Sequence, residues 1–100
     1  MKSSLQTLQR IQKFNIDEQR KILAELQTNE EKLQSGLERL NAEYEREKEF
    51  ASAHPGTGDF GAYTKRYLQY REAFERQLAA VRTEIEKVRD KIADMFKEQK

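Results

Sequence analysis

Ser52-Ala53-His54-Pro55-Gly56-Thr57-Gly58-Asp59 is the one stretch where the helical texture of this chain breaks. It holds the only Pro and two of the four Gly. Pro lacks a backbone donor and clashes with the preceding helical turn. Gly56 and Gly58 admit positive φ. A loop over 52–59 is therefore predicted, with a long helix on each side.

Upstream, the pattern predicts helix 1 over about 4–51. Ser3 with Gln6 three residues on fits a capping box. Ile16, Leu23, Leu26, Leu33, Leu37, Leu40 and Tyr44 then recur at heptad spacing. Ile16, Leu23, Glu30, Leu37 and Tyr44 share one seam position, and Gln19, Leu26, Leu33 and Leu40 share the other. Polar seam residues such as Glu30 and Gln19 weaken a seam and can fix its register. Gly36 weakens the helix by about 1 kcal/mol relative to Ala. A brief irregularity near Asn15-Ile16-Asp17 is conceivable, because Asp17 can cap a new turn.

Downstream, helix 2 is predicted over about 60–100, with Asp59 as N-cap. Its stripe reads Tyr63, Tyr67, Tyr70, Phe74, Leu78, Val81, Ile85, Val88, Ile92 and Met95. Only the double four-residue step around Phe74 breaks the heptad, as a hendecad that locally straightens a supercoil. Two amphipathic helices joined by a short loop bury their stripes most directly in each other. The expected fold is all-α: a single antiparallel two-helix coiled-coil hairpin over 1–100. Turning about the loop, Tyr44 meets Tyr67, Leu37 meets Phe74, Leu33 meets Leu78, Leu26 meets Ile85, and Ile16 meets Met95. That register leaves Leu5 and Leu8 without an opposite number, since Lys100 reaches only to about Ile11. Either helix 2 continues beyond residue 100, or the overhang binds another chain. The sequence after Phe96 carries no C-cap signal, which favours continuation.

Composition agrees. Ala, Glu, Lys, Leu and Arg make up 51 of the 100 residues, the mark of long helices. With 36% hydrophobic and 37% charged residues, the chain is short of material for a globular core. A β-sandwich, an α/β fold and a pocketed enzyme are disfavoured. Basic residues number 19 and acidic residues 18, interleaved, so neither half is a footprint for nucleic acid or acidic lipid. There is no Cys, which excludes disulfides and thiolate metal sites. No apolar run approaches the roughly 18 residues of a membrane span. Met1-Lys2-Ser3-Ser4-Leu5-Gln6 lacks the apolar core of a signal peptide.

Chemistry-bearing constellations are sparse. The many Glu residues read as solvated helix faces, because a two-helix hairpin offers no cleft to shift a carboxyl pKa. His54, the only histidine, reads as a turn residue. Gly56-Thr57-Gly58 lacks the strand and the Lys of a phosphate loop. Arg66, Arg71, Arg76, Arg82 and Arg89 are balanced by Glu72, Glu75, Glu84 and Glu86, so they read as ion pairs. No catalytic residue, cofactor or metal is expected. The unusual feature is the aromatic cluster Phe50, Phe60, Tyr63, Tyr67, Tyr70 and Phe74. It has two readings. One is seam core, with hydroxyls at the edge. The other is a partner-binding patch, because a narrow seam cannot hide every ring.

The opening Leu5-Gln6-Thr7-Leu8-Gln9-Arg10-Ile11 resembles that of the FliJ family of bacterial flagellar export proteins. So do the long Glu/Gln/Leu-rich helix, the short Gly-containing loop and the run Tyr67-Leu68-Gln69-Tyr70-Arg71-Glu72-Ala73-Phe74-Glu75-Arg76-Gln77-Leu78. Ala93-Asp94-Met95-Phe96-Lys97-Glu98-Gln99-Lys100 is similar to the family's mid-to-late helix 2. The resemblance spans essentially the whole chain. It implies a long antiparallel coiled coil like the central stalk of rotary ATPases, within the flagellar type III export apparatus. It implies a non-enzymatic cytoplasmic protein, peripheral at the inner-membrane face and without direct membrane insertion. The implied partners are the hexameric export ATPase, the cytoplasmic domain of the export gate, and export chaperones; nucleic acid is not among them. The implied gate contact falls on Tyr70, Phe74 and Leu78, flanked by Tyr67 and Val81. Leu5, Leu8 and Ile11 lie at the implied ATPase-facing end, as partner contacts or as contacts of a continued helix 2. Family members run further in that helix. The alternatives are the equivalent stalk of a virulence secretion system, or an unrelated coiled-coil scaffold or chaperone.

Overall fold

The computed structural model describes residues 2–98, with Lys2 in backbone only. The chain is all-α. Two long helices, α1 (Lys2–Ala53) and α2 (Phe60–Glu98), pack against each other as a hairpin. α1 is already helical at Lys2. Ser3 therefore stands inside the first turn rather than at its cap, and its carbonyl accepts a hydrogen bond from Thr7 Oγ1 at 2.8 Å. No irregularity interrupts α1 near Asn15. Asp17 instead lies 3.6 Å from Arg20 as an intrahelical ion pair.

α1 also runs two residues past its expected end, through Ala53. His54 closes it: its backbone N–H donates to Phe50 O at 2.9 Å. Pro55 cannot extend the helix. The chain then turns with Gly56 at φ +86°, and Thr57 donates to His54 O from both its amide (3.3 Å) and its hydroxyl (2.6 Å). Pro followed by a positive-φ Gly is the preference of a type II turn. Gly58 takes a second positive φ, +83°. Asp59 caps α2 as expected, its Oδ1 accepting from Ala62 N–H at 3.0 Å.

The helices contribute to two compact units, one of Glu30–Ala80 and one of Met1–Asn29 with Val81–Lys100. In the first, Tyr44 stacks on Tyr67 with ring centroids 4.0 Å apart, as the expected register requires. Phe60 and Tyr63 extend the stack, at 5.7 and 6.2 Å from Tyr44. The hydroxyls are satisfied at the edge: Tyr67 donates to Asn41 Oδ1 at 2.7 Å, and Tyr44 lies 3.3 Å from Thr64 Oγ1. Leu78 is buried in the same unit. In the second unit Ile16, Val81 and Ile85 are buried, and Ile16 and Met95 line one small cavity, again in register. Arg20 places its guanidinium 5.2 Å from the centre of the Phe96 ring.

One seam position differs from the polarity reading. Tyr70 is 61% exposed, and Arg71 is part-buried in its place. The seam of α2 thus runs Tyr67, Arg71, Phe74, Leu78, Val81, Ile85, Val88, Ile92 and Met95, all buried or half-buried. Its steps alternate four and three without the hendecad. The physical reason is the long apolar stem of Arg, which covers a seam while its charge reaches water. The Arg71 guanidinium lies 5.6 Å from the Tyr67 ring centre, and its Nε lies 3.7 Å from Glu75.

Candidate functional site

Of the five residues assigned to a gate contact, Tyr67, Leu78 and Val81 are buried in the helix seam. Tyr67 is doubly occupied, by its stack on Tyr44 and by its bond to Asn41. Val81 belongs to the other compact unit from the remaining four. The surface is therefore carried by Tyr70, which is exposed, and Phe74, which is half-buried. They stand four residues apart on α2, so they neighbour each other on one flank.

Phe74 owes its position to Gly36. A Cβ added at Gly36 would stand 2.8 Å from Phe74 Cε1, closer than side-chain carbons approach. The missing side chain is a notch into which the ring sinks against the α1 backbone. A shallow groove of about 260 Å³ opens beside it, lined by Gly36, Arg39, Leu40, Glu43 and Phe74. This groove, with Tyr70 one turn away, is an apolar floor with one cation and one anion on its rim. It suits a protein segment presenting an apolar side chain. Reading Gly36 as only a weak spot in the helix missed its role. The signal was in the register, which sets Leu37 against Phe74 and so brings the one Gly of the α1 seam region beside the ring.

At the loop, Phe50 stacks on His54 with centroids 4.3 Å apart. Phe50, Phe60, Tyr63, Glu47, Asp59 and Arg66 border an open depression of about 210 Å³. His54 Nδ1 lies 3.1 Å from Phe50 O, so its ring serves the end of α1. Among the described residues no cluster of His, Asp and Glu could hold a metal ion.

At the other end, Leu5, Leu8 and Ile11 are 59%, 51% and 51% exposed, and Phe14 is 62% exposed. The last α2 residue described, Glu98, shares a cavity of about 60 Å³ with Gln12, Asn15, Ile16 and Met95. The α2 seam thus reaches α1 only as far as Gln12 among the described residues. Leu5 and Leu8 are exposed, in line with the register, and Ile11 is exposed beside them.

Compared with protein-family models, curated proteins and solved structures, this chain finds no match.

Proposed function

We propose that this protein is a non-enzymatic coiled-coil component of a flagellar type III export apparatus, of the FliJ kind. It couples the hexameric export ATPase to the cytoplasmic domain of the export gate and assists the cycling of export chaperones. On this reading it works in the cytoplasm, peripheral at the inner-membrane face. The carrying observation is the pairing of exposed Tyr70 with half-buried Phe74 beside the Gly36 groove, on the helix that follows the loop. The same run, Tyr67 to Leu78, carries the family resemblance. Exposed aromatics on a rigid helix make strong interface anchors, because they bury large area at little entropic cost.

The gate contact narrows accordingly to Tyr70, Phe74 and the groove. Tyr67 and Leu78 are buried in the seam of the same unit. The test is a binding measurement between this chain and the isolated gate domain, with the export ATPase as a second arm. Tyr70→Ala should weaken gate binding at least tenfold, with a nearly unchanged melting temperature, because Tyr70 is 61% exposed. Gate affinity that survives Tyr70→Ala removes the patch. Failure of the wild-type chain to bind either partner removes the whole reading.

A further inference from the structure

We propose that the partner held at Tyr70 and Phe74 is an amphipathic helix with a basic edge, lying lengthwise in a trough along one flank of the Glu30–Ala80 unit. The inference rests on the proposed gate contact and states what the gate must present there. A helix turns about 100° per residue, so Gly36, Leu40, Glu43, Glu47 and Phe50 keep within an arc of about 80° on α1. Tyr63, Arg66, Tyr70 and Phe74 keep within a similar arc on α2. The groove beside Gly36 joins Leu40 and Glu43 to Phe74, and the depression beside the loop joins Glu47 and Phe50 to Tyr63 and Arg66. The two openings therefore lie on the same flank, with exposed Tyr70 between them. From Gly36 to Phe50 the trough is about 21 Å long at 1.5 Å per residue, the length of about four helical turns. Farther from the loop the same α1 flank carries Lys32 and Asn29, both exposed, so the apolar floor stops at Gly36.

Charge selects the occupant. Of the charged residues lining the two openings, Asp59 is engaged in capping α2. Arg39, Glu43, Glu47 and Arg66 enter no ion pair with any described residue. Glu43 and Glu47 stand one turn apart on the α1 rim, near the middle of the trough. They repel a phosphate backbone or an anionic bilayer, and attract two Lys or Arg residues at the same spacing. Arg66 on the α2 rim calls for a carboxylate on the partner's other edge. Backbone chemistry selects as well. The trough has no sheet edge, so an extended segment pressed into it would leave buried amides and carbonyls unpaired. A helix satisfies its own, and its apolar stripe covers Phe50, Tyr70 and Phe74.

The test is binding of the full chain to the isolated gate domain, with hydrogen exchange on the complex. Affinity of the wild type should fall as salt rises. Glu43→Lys with Glu47→Lys should weaken it roughly tenfold or more, and Phe50→Ser roughly threefold or more. All three positions are exposed, and far-UV circular dichroism checks that the hairpin persists. Protection in the gate domain should fall on one stretch of about 14 residues, with basic residues three or four apart. Binding that is lost on Tyr70→Ala but unchanged in the charge or Phe50 variants overturns the trough and leaves the gate contact standing. Protection spread over separate gate segments does the same. No wild-type binding removes the gate contact and the trough with it. A dimer that becomes a monomer on Phe50→Ser, with gate binding intact, makes the flank a contact between copies and also overturns the proposal.

Discussion

Gly36 and Phe74 meet closely enough that a Cβ added at Gly36 would stand 2.8 Å from the ring. Two effects oppose each other when Gly36 is replaced. Ala gains about 1 kcal/mol of helix propensity. Its methyl also displaces a half-buried ring, and overpacking of that kind costs typically about 1–3 kcal/mol. The atoms that the methyl meets belong to a rigid ring, so the steric term wins. Gly36→Ala should lower stability by about 1 kcal/mol, measured by thermal or urea unfolding. With Phe74→Leu in the background, the methyl has room and the same substitution should stabilise. The change of sign across this double-mutant cycle isolates the contact. Additive effects would mean that the ring does not seat in the notch.

At the scale of a helix, the seam of α2 reverses an ordering by polarity. Arg71 covers the seam through its stem, contacts the Tyr67 ring and pairs with Glu75, whereas Tyr70 faces water. Arg71→Ser should therefore cost about 1 kcal/mol through lost packing and cation–π contact. Tyr70→Ser should stay within about 0.5 kcal/mol. Matched unfolding curves of the two variants decide it; a larger loss at Tyr70 would place the ring in the seam after all. The same contrast shows what was legible in the sequence. The loop, the Asp59 cap and the Tyr44–Tyr67 register were readable because Pro, Gly, Asp and a run of apolar residues each act through one dominant effect. Arg71 was not readable, because its apolar stem and charged head give opposite signals and apolar counting sees only the second. Ser3 misled for a related reason. A capping box describes a residue's capacity, and the helix had already begun at Lys2.

The candidate site was half legible at the scale of the whole molecule. Its location on α2 just after the loop followed from the aromatic cluster. The division of that cluster did not, because whether a ring stacks or faces water depends on the opposite helix. Tyr67 and Tyr70 differ only in which flank they occupy, and that difference separates support from surface. The groove was hidden altogether, since it is made by an absent side chain on α1.

The stack of Tyr44, Tyr63 and Tyr67 also gives the protein an internal spectroscopic probe. The chain has no Trp, and its four Tyr all fall in the Glu30–Ala80 unit. The tyrosine bands of near-ultraviolet dichroism and tyrosine emission therefore report on that unit, while the backbone signal reports on both. Contacts along a helix pair are local, so its parts can open separately. Ile85→Ala leaves a cavity in the other unit and should cost about 2–4 kcal/mol there. The backbone signal of that variant should then begin to fall at a lower temperature than the aromatic signal. Coincident melting of the two signals would show that the hairpin opens as one body. In either case, a chain without a single Trp offers a site-selective optical thermometer with no label attached.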